Sequence, residues 1–212
     1  MTVNPGNRVR EIINATRNIS PPPSTDQTRE SSLVDLSLAA PGIRVDLRYA
    51  TENNFLGHIL YDGKTALLQE PVTESLTRVQ ILLSSQGLGL IVYDAYRPWW
   101  VTKVFWDVMP INARTYLADP ASGSKHNRGC AVDVGLIESG TGKILPMPSA
   151  FDEFSERAFV SYSKGTDEER ANRDLLISTM GQESFSVISA EWWHFDHDLW
   201  PKYPILNEPV PK

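Results

Sequence analysis

A chain of 212 residues that is 41% hydrophobic and 22% charged is long enough for one good core and short for two. Its formal charge of −6 offers no basic field to a phosphate backbone, which argues against a nucleic-acid partner and leaves small or neutral substrates. The single cysteine, Cys130, excludes an intrachain disulfide and a four-cysteine zinc site, and no run of about eighteen apolar residues offers a membrane span. The cytoplasm is the default compartment, or the periplasm if a leader has been removed.

In chain order, residues 1–32 are polar and carry Pro21-Pro22-Pro23, a composition that resists packing and predicts an N-terminal arm before one domain over 33–212. Within the arm, Val9, Ile12, Ile13 and Ile19 have a faint helical spacing, compatible with a short helix laid on the domain or with a loose arm. The partial alternation from Leu33 to Leu38, the Pro41-Gly42 turn and then Ile43, Val45 and Leu47 predict a strand pair entering Tyr49. Residues 53–58 are rich in turn formers, and His58, with no ligand partner at metal spacing, reads as a loop histidine. Val72, Leu76, Val79, Leu82 and Leu83 recur at helical intervals between Pro71 and a glycine stop at Gly87.

Leu88 to Val92 then reads as a buried strand that delivers Tyr93-Asp94-Ala95-Tyr96-Arg97-Pro98, with the proline opening a helix over 99–108. Arg97 therefore stands at a strand-to-helix junction, where side chains commonly point into a cleft. A loop over 110–124 feeds Ser124-Lys125-His126-Asn127-Arg128-Gly129-Cys130, and 131–137 reads as a strand. On that strand Asp133 shares a face with Ala131 and Gly135, whose small size would leave room for an ion, while Val132 and Val134 face the core. A loop around Phe151-Asp152, a helix over 168–180 and a last strand from Phe185 into Glu191 complete the chain. Strands and helices do not alternate steadily, so the expected fold is α+β: an antiparallel sheet carrying the metal site, with helices packed outside.

Catalytic zinc takes three nitrogen or oxygen ligands and keeps a fourth position open. His126, Asp133 and His194 supply such a set, the glycine at 129 permits a tight approach, and Trp192 and Trp193 would dry the site. Singly, each histidine could be an ordinary hydrogen-bonded residue and Asp133 a turn cap; His197 is a rival ligand. Glu191 and His194 are three apart, and on a regular strand they would face opposite ways, so both reach one site only if the backbone bends or bulges between them.

The stretches Tyr-Asp-Ala-Tyr-Arg-Pro at 93–98, Ser-Lys-His-Asn-Arg-Gly-Cys-Ala-Val-Asp at 124–133 and Glu-Trp-Trp-His at 191–194 resemble the D-alanyl-D-alanine dipeptidases, the VanX-type zinc enzymes of the hedgehog and D-Ala-D-Ala peptidase fold. The resemblance runs from about residue 34 to about residue 204 and leaves the arm outside. It implies one zinc per chain on His126, Asp133 and His194, with Glu191 as catalytic base and Arg97 facing the reacting carbonyl. It also implies Ser124, Tyr49 and Asp152 in the substrate pocket. Lys125 and Cys130 depart from the pattern, where related enzymes carry small polar residues, and Lys125 could alter charge at the mouth.

The implied reaction is hydrolysis of the small dipeptide D-Ala-D-Ala to two D-alanines, with Glu191 drawing the proton from a water activated by zinc. The alternatives are a related zinc D,D- or L,D-carboxypeptidase acting on peptidoglycan stem peptides of the cell wall, and a zinc-containing binding domain without catalysis. From the residues themselves, Arg97 could instead form a structural ion pair with Asp94 or clamp a substrate carboxylate. Asp152 could be a turn residue, and Tyr49 a core aromatic.

Overall fold

The computed structural model describes residues 5–24 and 29–212, so residues 1–4 and 25–28 of the expected arm lie outside the described residues. The elements are α1 (Pro5–Thr16), β1 (Leu33–Asp35), α2 (Leu36–Ala39), β2 (Arg44–Val45), β3 (Leu67–Gln69), α3 (Glu70–Ser84), β4 (Leu88–Asp94), α4 (Trp99–Val108), β5 (Ala131–Glu138), α5 (Asp167–Gly181), β6 (Phe185–Ile188) and β7 (Glu191–His197). Five strands form a sheet in the order β2-β4-β5-β7-β6, antiparallel throughout except that β2 runs parallel to β4; β1 and β3 form a separate antiparallel pair. This is the α+β architecture expected, with one parallel edge added.

The central strand β5 is buried along nearly its whole length because both faces of the sheet are covered. On one face Val132, Val134 and Leu136 join Leu90 and Val92 of β4 in a core closed by Val72, Leu76, Val79 and Leu83 of α3 and Leu176 and Met180 of α5. The opposite face carries a smaller cluster of Ile91, Tyr93 and Ile137, with Phe151 packed on it, and Asp133 lies on that side. Gly135 makes space there, though for a ring: a Cβ at this position would fall 2.9 Å from the Tyr93 hydroxyl. The room expected for an ion beside Asp133 is thus used by Tyr93.

Three local features depart from the sequence reading. The segment 33–47 does not close on itself as a strand pair. The Asp35 side chain accepts the Ser37 N–H and starts α2, so β1 is cut short and pairs with β3, while β2 is left to pair with β4. The last strand is two strands, β6 and β7, joined by a turn ahead of Glu191. Finally, β4 shifts register between Val92 and Asp94, opposing two residues to one on β5, which brings Asp94 directly opposite Asp133.

Among the described residues the N-terminal segment forms a helix laid against α4, with Ile13 and Thr16 buried. Arg17, just beyond it, donates to the Leu60 carbonyl and stands 5.2 Å from the Trp100 ring centroid. His58 is a loop histidine as expected, its ring nitrogens against the carbonyls of Leu56 and Gly6.

Candidate metal centre and active-site cavity

The loop that carries His126 is fastened from three sides. Asn127, fully buried, accepts the Ser124 N–H and donates to the Arg97 carbonyl and the Thr102 hydroxyl, and the Arg97 N–H donates to the His126 carbonyl. The 3-10 turn His126–Arg128 ends on Gly129 at φ +65°, a left-handed conformation that glycine adopts without strain. A Cβ here would lie 2.5 Å from Leu33 Cδ2 and 3.3 Å from the Gln69 nitrogen, the same nitrogen that donates to the Gly129 carbonyl. The glycine thus serves close approach to β3 as well as the turn.

The end of this loop, the middle of β5 and the middle of β7 bring His126, Asp133 and His194 together, all buried, with one possible ligand atom from each within 4.8 Å of the others. His126 Nε2 is 3.1 Å from His194 Nδ1, and Asp133 Oδ1 is 3.3 Å from the former and 3.0 Å from the latter. The remaining ring nitrogens have their own partners: His126 Nδ1 donates to the Ala95 carbonyl at 2.6 Å, and His194 Nε2 lies 3.0 Å from Asp196 Oδ1. Such outer partners fix the ring orientation that turns the inner nitrogen toward a shared metal position, so the set fits a single cation. His197, the rival, points away from this group to the Ser75 hydroxyl and packs edge-on against Phe185.

Glu191 reaches the same group, its Oε2 3.8 Å from His194 Nδ1. The irregularity this requires is present. Val187 pairs with Phe195 and the next residue, Ile188, pairs with Glu191, so β7 bulges across 192–194. Burial raises the Glu191 carboxyl above its ordinary range, against the opposing pull of His194. Asp133 goes the other way: burial would raise it, but His126 and His194 hold it well below the usual carboxylate value.

Arg97 is buried and pairs with Asp94 at 3.2 Å while lining the cavity, so the ion pair weighed as its alternative coexists with a position at the site. Its guanidinium lies 4.9 Å from the Phe105 ring centroid and 5.3 Å from that of Tyr49, and its Nε has no hydrogen-bond partner. Asp94 is wholly buried; burial raises its carboxyl, Arg97 and His126 oppose that, and the Tyr61 hydroxyl donates to Oδ1 at 3.0 Å.

The cavity over the group holds about 240 Å³, below the ~300–1,000 Å³ typical of sites for drug-sized ligands. Tyr49, Ser124 and Asp152 all line it, as do Asp133, Glu191 and His194. Asp152 adopts φ 61°, unusual for a non-glycine residue, and both its oxygens lie within 3.0 Å of the Tyr49 hydroxyl. Burial, with Asp133 nearby, raises its carboxyl well above the ordinary value. Ser124 Oγ accepts the His126 N–H at 3.2 Å. An aromatic rim of Phe55, Phe105, Tyr116, Phe154 and Trp193 completes the wall. Of these only Trp193 was expected at the site; the other four come from separated segments with no shared spacing, and Asp196 was also missed, although the position two after His194 on one strand face was a signal.

Residues 29–207 match the family Peptidase_M15, D-ala-D-ala dipeptidase. The chain is 34% identical over 178 residues to the D-alanyl-D-alanine dipeptidase of Escherichia coli K12, covering 84% of this chain and 91% of that one. It is 33% identical over 188 residues to the enzyme of the same name from Enterococcus faecium, covering 80% and 89%. The Enterococcus faecalis enzyme of that name is 28% identical over 200 residues, covering 86% and 95%. With the family matched over most of its length and relatives of this identity covered almost end to end, the chain belongs to the Peptidase_M15 D-ala-D-ala dipeptidase family.

Proposed function

We propose that this chain is a zinc-dependent dipeptidase that hydrolyses D-Ala-D-Ala to two D-alanines. The observation that carries the reading is the buried group of His126, Asp133 and His194 beside the Glu191 carboxylate, with Asp133, His194 and Glu191 on the wall of a small cavity. Two imidazole nitrogens and a carboxylate oxygen match the donor set of catalytic zinc. A zinc ion held by these three would bring the pKa of water toward ~7 and polarise a carbonyl.

The chain's own residues do the rest. Glu191 takes the proton from the attacking water and delivers it to the departing amine, work suited to a carboxyl whose affinity for protons burial has raised. Arg97 presents a fixed positive charge to the oxygen of the scissile carbonyl, where negative charge grows as the bond is attacked, and Asp94 holds the guanidinium in place. Asp152, oriented by the Tyr49 hydroxyl, pairs with the dipeptide's free ammonium, which in an apolar cavity must be paired or suffer the full desolvation cost. Ser124 turns its hydroxyl proton to the substrate, its oxygen being engaged by the His126 N–H.

The test is metal analysis of the purified chain together with incubation on D-Ala-D-Ala, on the L,L isomer and on a longer stem peptide, with and without chelator. Release of D-alanine from the first alone, abolished by chelator and restored by zinc, is the expected result. Cleavage of the stem peptide would replace this reading with a carboxypeptidase, and absence of cleavage in a zinc-loaded chain with a binding domain.

A further inference from the structure

The two histidines of the metal group are oriented by different means. His126 leans on a backbone carbonyl, that of Ala95, while His194 leans on a side chain, Asp196 Oδ1, at 3.0 Å. Asp196 lies two residues beyond His194 on β7, so both point to the same face of the strand. Its second oxygen, Oδ2, is 3.3 Å from Lys125 Nζ, and that ammonium also lies 5.3 Å from the Trp200 ring centroid. Lys125 immediately precedes His126. The contacts therefore close a circuit in which the loop carrying one candidate ligand grips, through Lys125 and Asp196, the imidazole of the other.

We propose that Lys125 and Asp196 form a positioning pair for the metal: Asp196 accepts the His194 Nε2 proton and keeps the Nδ1 lone pair on the ion, and Lys125 keeps Asp196 turned inward. The proposal rests on the metal reading given above. Lys125, which also lines the cavity, then acts on the metal ligand through Asp196, which gives its departure from the small polar residues of related enzymes a structural use. A plain surface ion pair would contribute little to stability and leave metal affinity untouched. A carboxylate holding a ligand histidine typically changes metal affinity about 10–100-fold when lost.

The experiment is zinc affinity by competition with a chromophoric chelator for the wild type, Asp196→Ala, Lys125→Ser, Lys125→Arg and the Lys125→Ser/Asp196→Ala double variant, with thermal unfolding of each metal-free protein alongside. Asp196→Ala is expected to weaken zinc binding by roughly 10–100-fold. Lys125→Ser shifts it the same way by less, Lys125→Arg restores it, and the double variant binds no more weakly than Asp196→Ala alone, because the lysine acts through the aspartate. If Asp196→Ala fails to fold, the half-exposed Lys125 variants still decide the question. Affinities of the single variants equal to wild type, or effects that add in the double variant, would overturn the pair. A wild-type chain that takes up no zinc would instead overturn the metal reading beneath it.

Discussion

The hydroxyl of Tyr49 and the carboxylate of Asp152, 103 positions apart, meet at 2.9 and 3.0 Å on the cavity wall. One phenol facing both oxygens can donate to only one at a time, so Asp152 keeps acceptor capacity for a further donor. Replacing Asp152 with Asn is expected to raise KM for a free dipeptide at least tenfold, since a neutral amide cannot pair an ammonium. Tyr49→Phe is expected to raise KM by less, by freeing the carboxylate to rotate. Steady-state kinetics on both variants, with an N-acetylated dipeptide as a control that lacks the ammonium, would sink the assignment if KM stayed at the wild-type value.

Arg97 stands at once in a buried ion pair and on the cavity wall. Its pair with wholly buried Asp94 means that Arg97→Ala leaves an uncompensated carboxylate, an omission that typically costs ~3–5 kcal/mol of stability. On the proposed mechanism the same change also removes a donor to the developing oxyanion, for which a loss of about 3 kcal/mol, or roughly a hundredfold in turnover, is usual. The Arg97→Ala/Asp94→Asn double variant removes the orphaned charge and is expected to recover stability but not turnover. Turnover that returned along with the melting temperature would assign Arg97 a structural role alone.

At Gly129 the prediction concerns the fold. Alanine there would take a left-handed φ and put its Cβ 2.5 Å from Leu33 Cδ2 and 3.3 Å from the Gln69 nitrogen. The side chain of Leu33 can give way; the backbone of β3 gives less. A loss of about 1–3 kcal/mol is expected, read by urea unfolding of the metal-free protein, together with weaker metal binding because His126 starts the same turn. An unchanged unfolding midpoint would mean that the β3 clamp on this loop is soft.

The three residues that the fold brings together as a candidate metal group stood out in the sequence because their chemistry is rare and concentrated: a histidine and an aspartate about a glycine, and a histidine beside two tryptophans. The bulge in β7 was legible too, since two side chains three apart cannot otherwise share a site. What escaped was whatever depends on partners distant in the chain. Nothing local in 33–47 says that β1 will pair with β3 rather than fold back, because the choice is made by the Asp35 cap and by the vacant edges of strands formed later. Gly135 was read as room for an ion because its neighbour across the sheet, Tyr93, could not be placed without the register of β4 on β5.

Cys130 provides a check on burial. It is fully enclosed, its thiol pushed up to about 12 by desolvation against the weaker opposing pull of Arg128. The thiolate, which is the reactive form, is therefore scarce near neutrality. Native protein is expected to resist iodoacetamide for hours at pH 7.5 and to react fully once unfolded in guanidinium chloride. Rapid labelling of the native chain would show that the strand junction at Cys130 opens to solvent.

Metal uptake should carry a proton signature. In the metal-free protein, burial pulls the His194 imidazole down, but hydrogen bonds to Asp133 and Asp196 outweigh it and lift its value to about 10. A value raised above the ordinary 6.5 means that this group stabilises the metal-free fold fully below that pH, and that the contribution is lost as pH climbs through about 10. A cation must displace that proton to take Nδ1, so zinc binding near neutrality is expected to release about one proton from His194, and affinity should rise with pH across this window. Isothermal titration of the metal-free chain in buffers of different ionisation enthalpy measures the release directly, and it should fall toward zero above pH 10. A binding enthalpy that did not depend on the buffer at pH 7 would mean that His194 is already neutral between its two carboxylates, and that the metal enters a site with no proton to expel.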